Sequence, residues 1–121
     1  MGDLITMDDL SNKEIENLLD NAERLLPVAK GDAHLPLLEG KVLANMFFEN
    51  STRTRMSFET AMKRLGGSVL NFSTTGSSVA KGETLYDTMQ MIDGYADVAV
   101  IRHPRQGAAR MSDYCLSLIH I

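Results

Sequence analysis

Cysteine is nearly missing from this sequence. Cys115 stands alone among 121 residues, so no internal disulfide can form, and a reducing, cytoplasmic setting is expected. Cys115 itself reads as a small apolar residue. Basic runs are also missing, and the formal net charge is −4. That argues against a nucleic-acid partner held by a basic face, while leaving room for a local basic pocket. No apolar run approaches the roughly 20 residues of a membrane span. The N-terminus shows no basic segment followed by an apolar one, so no secretory signal is read. The three histidines, His34, His103 and His120, lack a metal-ligand spacing, and no metal or cofactor is expected.

What is present is an ordinary globular balance, 44% apolar and 23% charged, in a chain of one domain's length. Ser11 followed by Glu14 forms a capping-box pattern, and Ile15, Leu18, Leu19, Ala22, Leu25, Leu26 and Ala29 recur at helical spacing. One helix over 11–30 is predicted, stopped by Lys30-Gly31. The apolar run 42–48 is too short for a core helix and fits a buried strand. A second helix carries Phe58, Ala61, Met62 and Leu65 and stops at Gly66-Gly67, and a strand follows at 68–72. Residues 73–80 are a Ser/Thr/Gly loop of the kind that carries function. Thr84 and Asp87 form another capping box, with Leu85, Met89, Ile92 and Tyr95 pointing inward behind it. A third strand is predicted at 97–101 and a further helix from Gln106. The alternation predicts an α/β fold, a three-layer domain with a mainly parallel sheet.

Ligands of such sheets sit beyond the carboxyl ends of the strands. Ser51-Thr52-Arg53-Thr54-Arg55 follows the first strand and opens a helix, whose first amides are unpaired and whose dipole favours an anion. Hydroxyls and guanidinium groups add donors suited to phosphate. Arg53 and Arg55 point about 200° apart on a helix, so at most one reaches a ligand and the other is expected in a structural ion pair. The same pattern also describes a plain solvated helix start. Arg102 closes the third strand, either as a surface arginine or facing the same crevice as Ser51 if the two strands are neighbours. Lys81-Gly82-Glu83 reads as a charged loop leading into a helix cap.

The stretch Phe47-Phe48-Glu49-Asn50-Ser51-Thr52-Arg53-Thr54-Arg55, continued by Met56-Ser57-Phe58-Glu59, resembles the carbamoyl-phosphate signature of the transcarbamoylases. Ser77-Ser78-Val79-Ala80-Lys81-Gly82-Glu83-Thr84 with Asp87-Thr88, and Arg102-His103-Pro104 with Gly107-Ala108-Ala109-Arg110, are similar to segments of the aspartate carbamoyltransferase family. The resemblance runs from about Leu4 to Arg110. It implies the N-terminal domain of that fold, and transfer of the carbamoyl group of carbamoyl phosphate to L-aspartate in pyrimidine synthesis. It implies that Ser51, Thr52, Arg53 and Thr54 hold the phosphate and that Thr54 and Arg102 lie near the carbonyl oxygen, with Arg53, Thr54 and Arg102 as catalytic residues. Ser77 and Lys81 match a loop that enters a neighbouring subunit's site in a homotrimer, and a regulatory chain is a further implied partner.

After Arg110 the resemblance stops. Residues 1–110 are read as an incomplete carbamoyl-phosphate-binding domain and 111–121 as a divergent, foreign tail. No His-Pro-x-x-Gln segment follows and no aspartate-binding domain is present, so the chain is expected to be a truncated form with little transferase activity of its own. Two other readings stay open: a sibling transcarbamoylase with another acceptor, and a non-catalytic binding or assembly module.

Overall fold

In the computed structural model, which describes residues 4–72, 85–104 and 119–120, the apolar run after Lys41 becomes strand β1 (Val42–Phe47). Five of its six residues are buried, as expected for a strand covered on both faces. Strands β2 (Ser68–Phe72) and β3 (Val98–Arg102) flank it in parallel, and β4 (Ile119–His120) pairs with β3. The order is β2-β1-β3-β4. Helix α3 (Thr52–Arg64) connects β1 to β2, and α4 (Leu85–Asp93) lies between β2 and β3. The chain thus leaves β1 in one direction and later returns to its other side. Right-handed crossovers of this kind put successive helices on opposite faces.

The side chains confirm three layers. Ala44, Met46 and Phe48 pack with Met89, Ile92 and Ala96 on one face. Leu43 and Phe47 pack with Met62 and Val100 on the other, with Phe58 and Val69 against them. The expected α/β architecture with a parallel sheet is therefore present.

The predicted helix over 11–30 is two helices. α1 (Asn12–Arg24) ends at Leu25, and α2 (Leu26–Ala29) begins there with a proline in its first turn. Pro27 has no amide to donate, and its ring clashes with the carbonyl four residues back, so the helix cannot run through it. The Ser11 capping box forms as read: Ser11 Oγ accepts from the Glu14 amide, and the Glu14 carboxylate accepts from the Ser11 amide, both at 3.1 Å. The Ser11 amide holds the Glu14 carboxyl below its ordinary range. The stabilisation is then complete above the ordinary carboxylate range and fades as pH falls through the lowered value. No residue of α1 is fully buried, and Leu19 is 65% exposed.

Two further expectations need correction. Tyr95 is 64% exposed rather than inward. The Gly94 and Tyr95 amides donate to carbonyls three residues back, which tightens the chain after α4 and hands the inward position to Ala96. The third strand starts one residue late. Asp97 precedes it and fixes its start, because its amide donates to the Val42 carbonyl and its carboxylate accepts from the Val42 amide, each at 2.9 Å. Gly66, with φ +88°, ends α3 as read and sits 3.1 Å (from an added Cβ) off Pro36. The loop at 73–80, Ser77, Lys81, Thr84 of the second capping box, the inward Leu85 side chain, the helix from Gln106 and Cys115 lie outside the described residues.

Candidate functional site

β1 and β3 are neighbours whose onward connections run to opposite sides, and that is the switch point where such sheets open a crevice. The register sets Arg102 opposite Phe47, and the Phe48 amide donates to the Arg102 carbonyl at 2.8 Å. The condition attached to Arg102 in the sequence, that the two strands be neighbours, is met. Aromatic rings meet at these strand ends. The Phe48 ring meets Phe72 at 5.1 Å and His103 at 4.8 Å, both tilted, so one ring from the carboxyl end of each strand locks the three strand ends together.

Ser51 is the N-cap of α3, yet its side chain makes no capping bond. The contrast with Ser11, the same residue type in a complete capping box, is direct. Among the described residues, the first amides of α3 and the Ser51 hydroxyl have no acceptor, which leaves them for another. No acidic residue occupies this first turn; Arg53 and Arg55 stand there, against the usual preference for negative charge at a helix start. The turn therefore combines the positive end of the dipole with two guanidinium groups. An anion would relieve both.

Individual positions differ in exposure. Ser51 and Thr54 are half-buried, and Thr52 and Arg53 are exposed. Arg55 is half-buried and turned to the sheet edge, where its guanidinium donates to Asn71 Oδ1 at 3.4 Å. Arg55 was expected in an ion pair; it makes an amide contact instead, because Asn71 stands between it and Glu59 and bonds to both. Arg53, on the other side of the helix, is the arginine left for a ligand. Arg102 is not vacant, since its Nε donates to Glu49 Oε1 at 2.8 Å. The two side chains are 48% and 38% exposed, so the pair is worth at most about 1 kcal/mol, and a phosphate-bearing ligand can compete for it. Glu49 was quoted in the motif but given no role by the sequence; only the register shows that it meets Arg102.

An apolar groove of about 440 Å³ lies elsewhere. It runs between α2 and α3, lined by Leu25, Val28, Met56, Ala61 and Leu65, and includes none of Ser51, Thr52, Arg53, Thr54 or Arg102. Ser57, Thr60 and Arg64 also line it, so it carries donors of its own, but none of them belongs to the first turn of α3. Among the described residues no group of His, Cys, Asp and Glu could hold a metal ion, and no helix is long and apolar enough to cross a membrane.

An α/β domain with a parallel sheet and an uncapped, arginine-bearing helix start after its central strand is the class these features define. The family profile "aspartate/ornithine carbamoyltransferase, carbamoyl-P binding domain" matches residues 2–119, and the chain belongs to that family. It is 56% identical over 113 residues to the aspartate carbamoyltransferase catalytic subunit of Archaeoglobus fulgidus, covering 93% of this chain and 38% of that protein. It superimposes on the catalytic subunit of M. jannaschii aspartate transcarbamoylase with a TM-score of 0.91 at 50% identity, covering 100% of this chain and 41% of the other. The Trypanosoma cruzi aspartate transcarbamoylase, solved with carbamoyl phosphate and aspartate, gives 0.91 at 39% identity, over 98% of this chain and 39% of that one. The chain thus spans about two fifths of the length of these relatives.

Proposed function

We propose that this domain binds carbamoyl phosphate at the start of α3 and supplies the phosphate half of an aspartate carbamoyltransferase site. The carrying observation is the uncapped N-terminus of α3, with Ser51 free of a capping bond and Arg53 beside it, next to Arg102 on the neighbouring strand. The first-turn amides and the hydroxyls of Ser51, Thr52 and Thr54 hold the phosphate with Arg53. Thr54 and Arg102 face the carbonyl oxygen.

The chemistry follows from that placement. The neutral amine of L-aspartate attacks the carbonyl carbon, charge builds on the carbonyl oxygen, the carbon–oxygen bond to phosphate breaks, and the departing phosphate takes the proton that the amine gives up. Fixed donors stabilise the oxyanion and the departing phosphate, and positioning supplies the rest, with no covalent intermediate on the protein. Arg102 leaves Glu49 to reach the substrate. In the same reading Ser77 and Lys81 come from a neighbouring copy in a homotrimer, a regulatory chain joins the assembly, and the enzyme works in the cytoplasm. The M. jannaschii and A. fulgidus relatives are named catalytic subunits, which supports an assembly.

A polypeptide of these 121 residues is expected to bind carbamoyl phosphate in a calorimeter but to form no detectable carbamoyl aspartate from carbamoyl phosphate and L-aspartate. Turnover near that of a full-length relative would contradict the assignment of aspartate recognition to segments beyond this domain. No heat of binding would contradict the phosphate site.

A further inference from the structure

Asn45 sits in the middle of β1, fully buried, between Ala44 and Met46. A primary amide in such a place needs hydrogen bonds at both ends to offset its desolvation. It has one. Nδ2 donates to the Arg55 carbonyl at 2.9 Å, and Oδ1 has no partner among the described residues. A leucine of similar size would carry no such deficit, so core packing does not explain an asparagine here.

What the bond reaches explains it better. Arg55 closes the first turn of α3, and its own amide donates to the Ser51 carbonyl at 2.9 Å. Inside a helix a carbonyl already serves the amide four residues on, so the Asn45 bond is an additional tie, from the sheet to the first turn. A second asparagine reinforces it. Asn45 and Asn71 are register partners across β1 and β2, and Asn71 takes the Arg55 guanidinium at 3.4 Å while donating to Glu59. Adjacent strands thus hold one arginine by its backbone and by its side chain.

Apolar contacts from Phe58 and Met62 set the distance of α3 from the sheet but resist sliding and rotation weakly, because they are non-directional. A hydrogen bond at the first turn fixes both. The amides that aim at a phosphate are in that same turn, so its rotational phase decides where they point.

We propose that Asn45 is a positioning residue of the phosphate site: its bond to the Arg55 carbonyl sets the phase of the first turn of α3. The proposal rests on the reading that residues 51–54 bind phosphate. The test compares the wild-type chain with Asn45→Leu, using calorimetric titration with inorganic phosphate and urea unfolding. Leucine removes the donor and the orphaned acceptor together while keeping the volume. The expected result is an unfolding midpoint equal to or above wild type with phosphate Kd raised about ten-fold, the scale of one lost hydrogen bond. An unchanged Kd in the variant overturns the proposal and leaves the phosphate site intact. A wild-type chain that binds no phosphate overturns that reading and the proposal with it. If the leucine variant unfolds early from overpacking, Asn45→Ala decides. A ten-fold weaker Kd in its folded form supports positioning, and a wild-type Kd shows that Asn45 is only structural.

Discussion

Arg53→Ala is expected to weaken binding of carbamoyl phosphate and of inorganic phosphate by one to two orders of magnitude. Arg53 stands in the first turn of α3, exposed, and forms no ion pair or hydrogen bond with the described residues. Its charge-assisted bond to phosphate is therefore not drawn from another contact and is lost in full on truncation. Hydrogen bonds to charged groups contribute about 1.5–3 kcal/mol, and each 1.4 kcal/mol is about ten-fold in Kd. Arg53→Lys should recover part of the affinity, since lysine keeps the charge and loses the fork. Neither change should alter the urea midpoint, because an exposed side chain without partners adds little to stability. Titration of the three proteins at two salt concentrations checks this. Equal affinities for wild type and Arg53→Ala would remove Arg53 from the site.

Met46→Ala should cost about 2–5 kcal/mol of stability. Met46 has no exposed surface and packs in the cluster that joins the sheet to α4 through Met89 and Ile92. Truncation leaves a cavity that a strand bonded on both sides cannot collapse around, because β1 is paired with β2 and β3 along its length. Domains of this size hold about 5–15 kcal/mol in total, so the variant stands close to unfolding. Met46→Leu keeps most of the volume and should cost less than about 1.5 kcal/mol. Met91, on α4 but 40% exposed, serves as the control: its alanine variant should stay within about 0.5 kcal/mol of wild type. Urea unfolding followed by circular dichroism reads all three. A Met46→Ala midpoint matching the Met91 variant would mean that the α4 layer does not pack as described.

Much of this fold was legible because its signals are local. The strand at Val42, the helix opened by Ser51 and closed by Gly66, and the strand at Ser68 each follow from a short apolar pattern between strong stop signals. Pro27 is equally local, but the apolar spacing alone runs straight across it, and the helix breaks there. Tyr95 failed for a different reason. Its spacing from Ile92 is helical, yet the chain had already left α4 at Gly94.

The site divides along the same line. Ser51, Thr52, Arg53 and Thr54 form one continuous motif, so their shared position at a helix start could be read directly. The contacts that shape the site could not. Glu49 meets Arg102, Arg55 meets Asn71, and Asn45 meets the Arg55 carbonyl only because β1 aligns with β3 and β2 in one register. Register is a property of the assembled sheet, and one asparagine in an apolar run carries no sign of it.

The central claim is that carbamoyl phosphate binds at the start of α3, and amide chemical-shift mapping of the labelled 121-residue chain tests it most directly. Titration with carbamoyl phosphate is expected to move the amides of Thr52, Arg53 and Thr54 first, with Arg102 following as it leaves Glu49. Inorganic phosphate should compete, and L-aspartate alone should move none of them. Shifts confined to another face, such as the groove between α2 and α3, or no shifts at all, would contradict it.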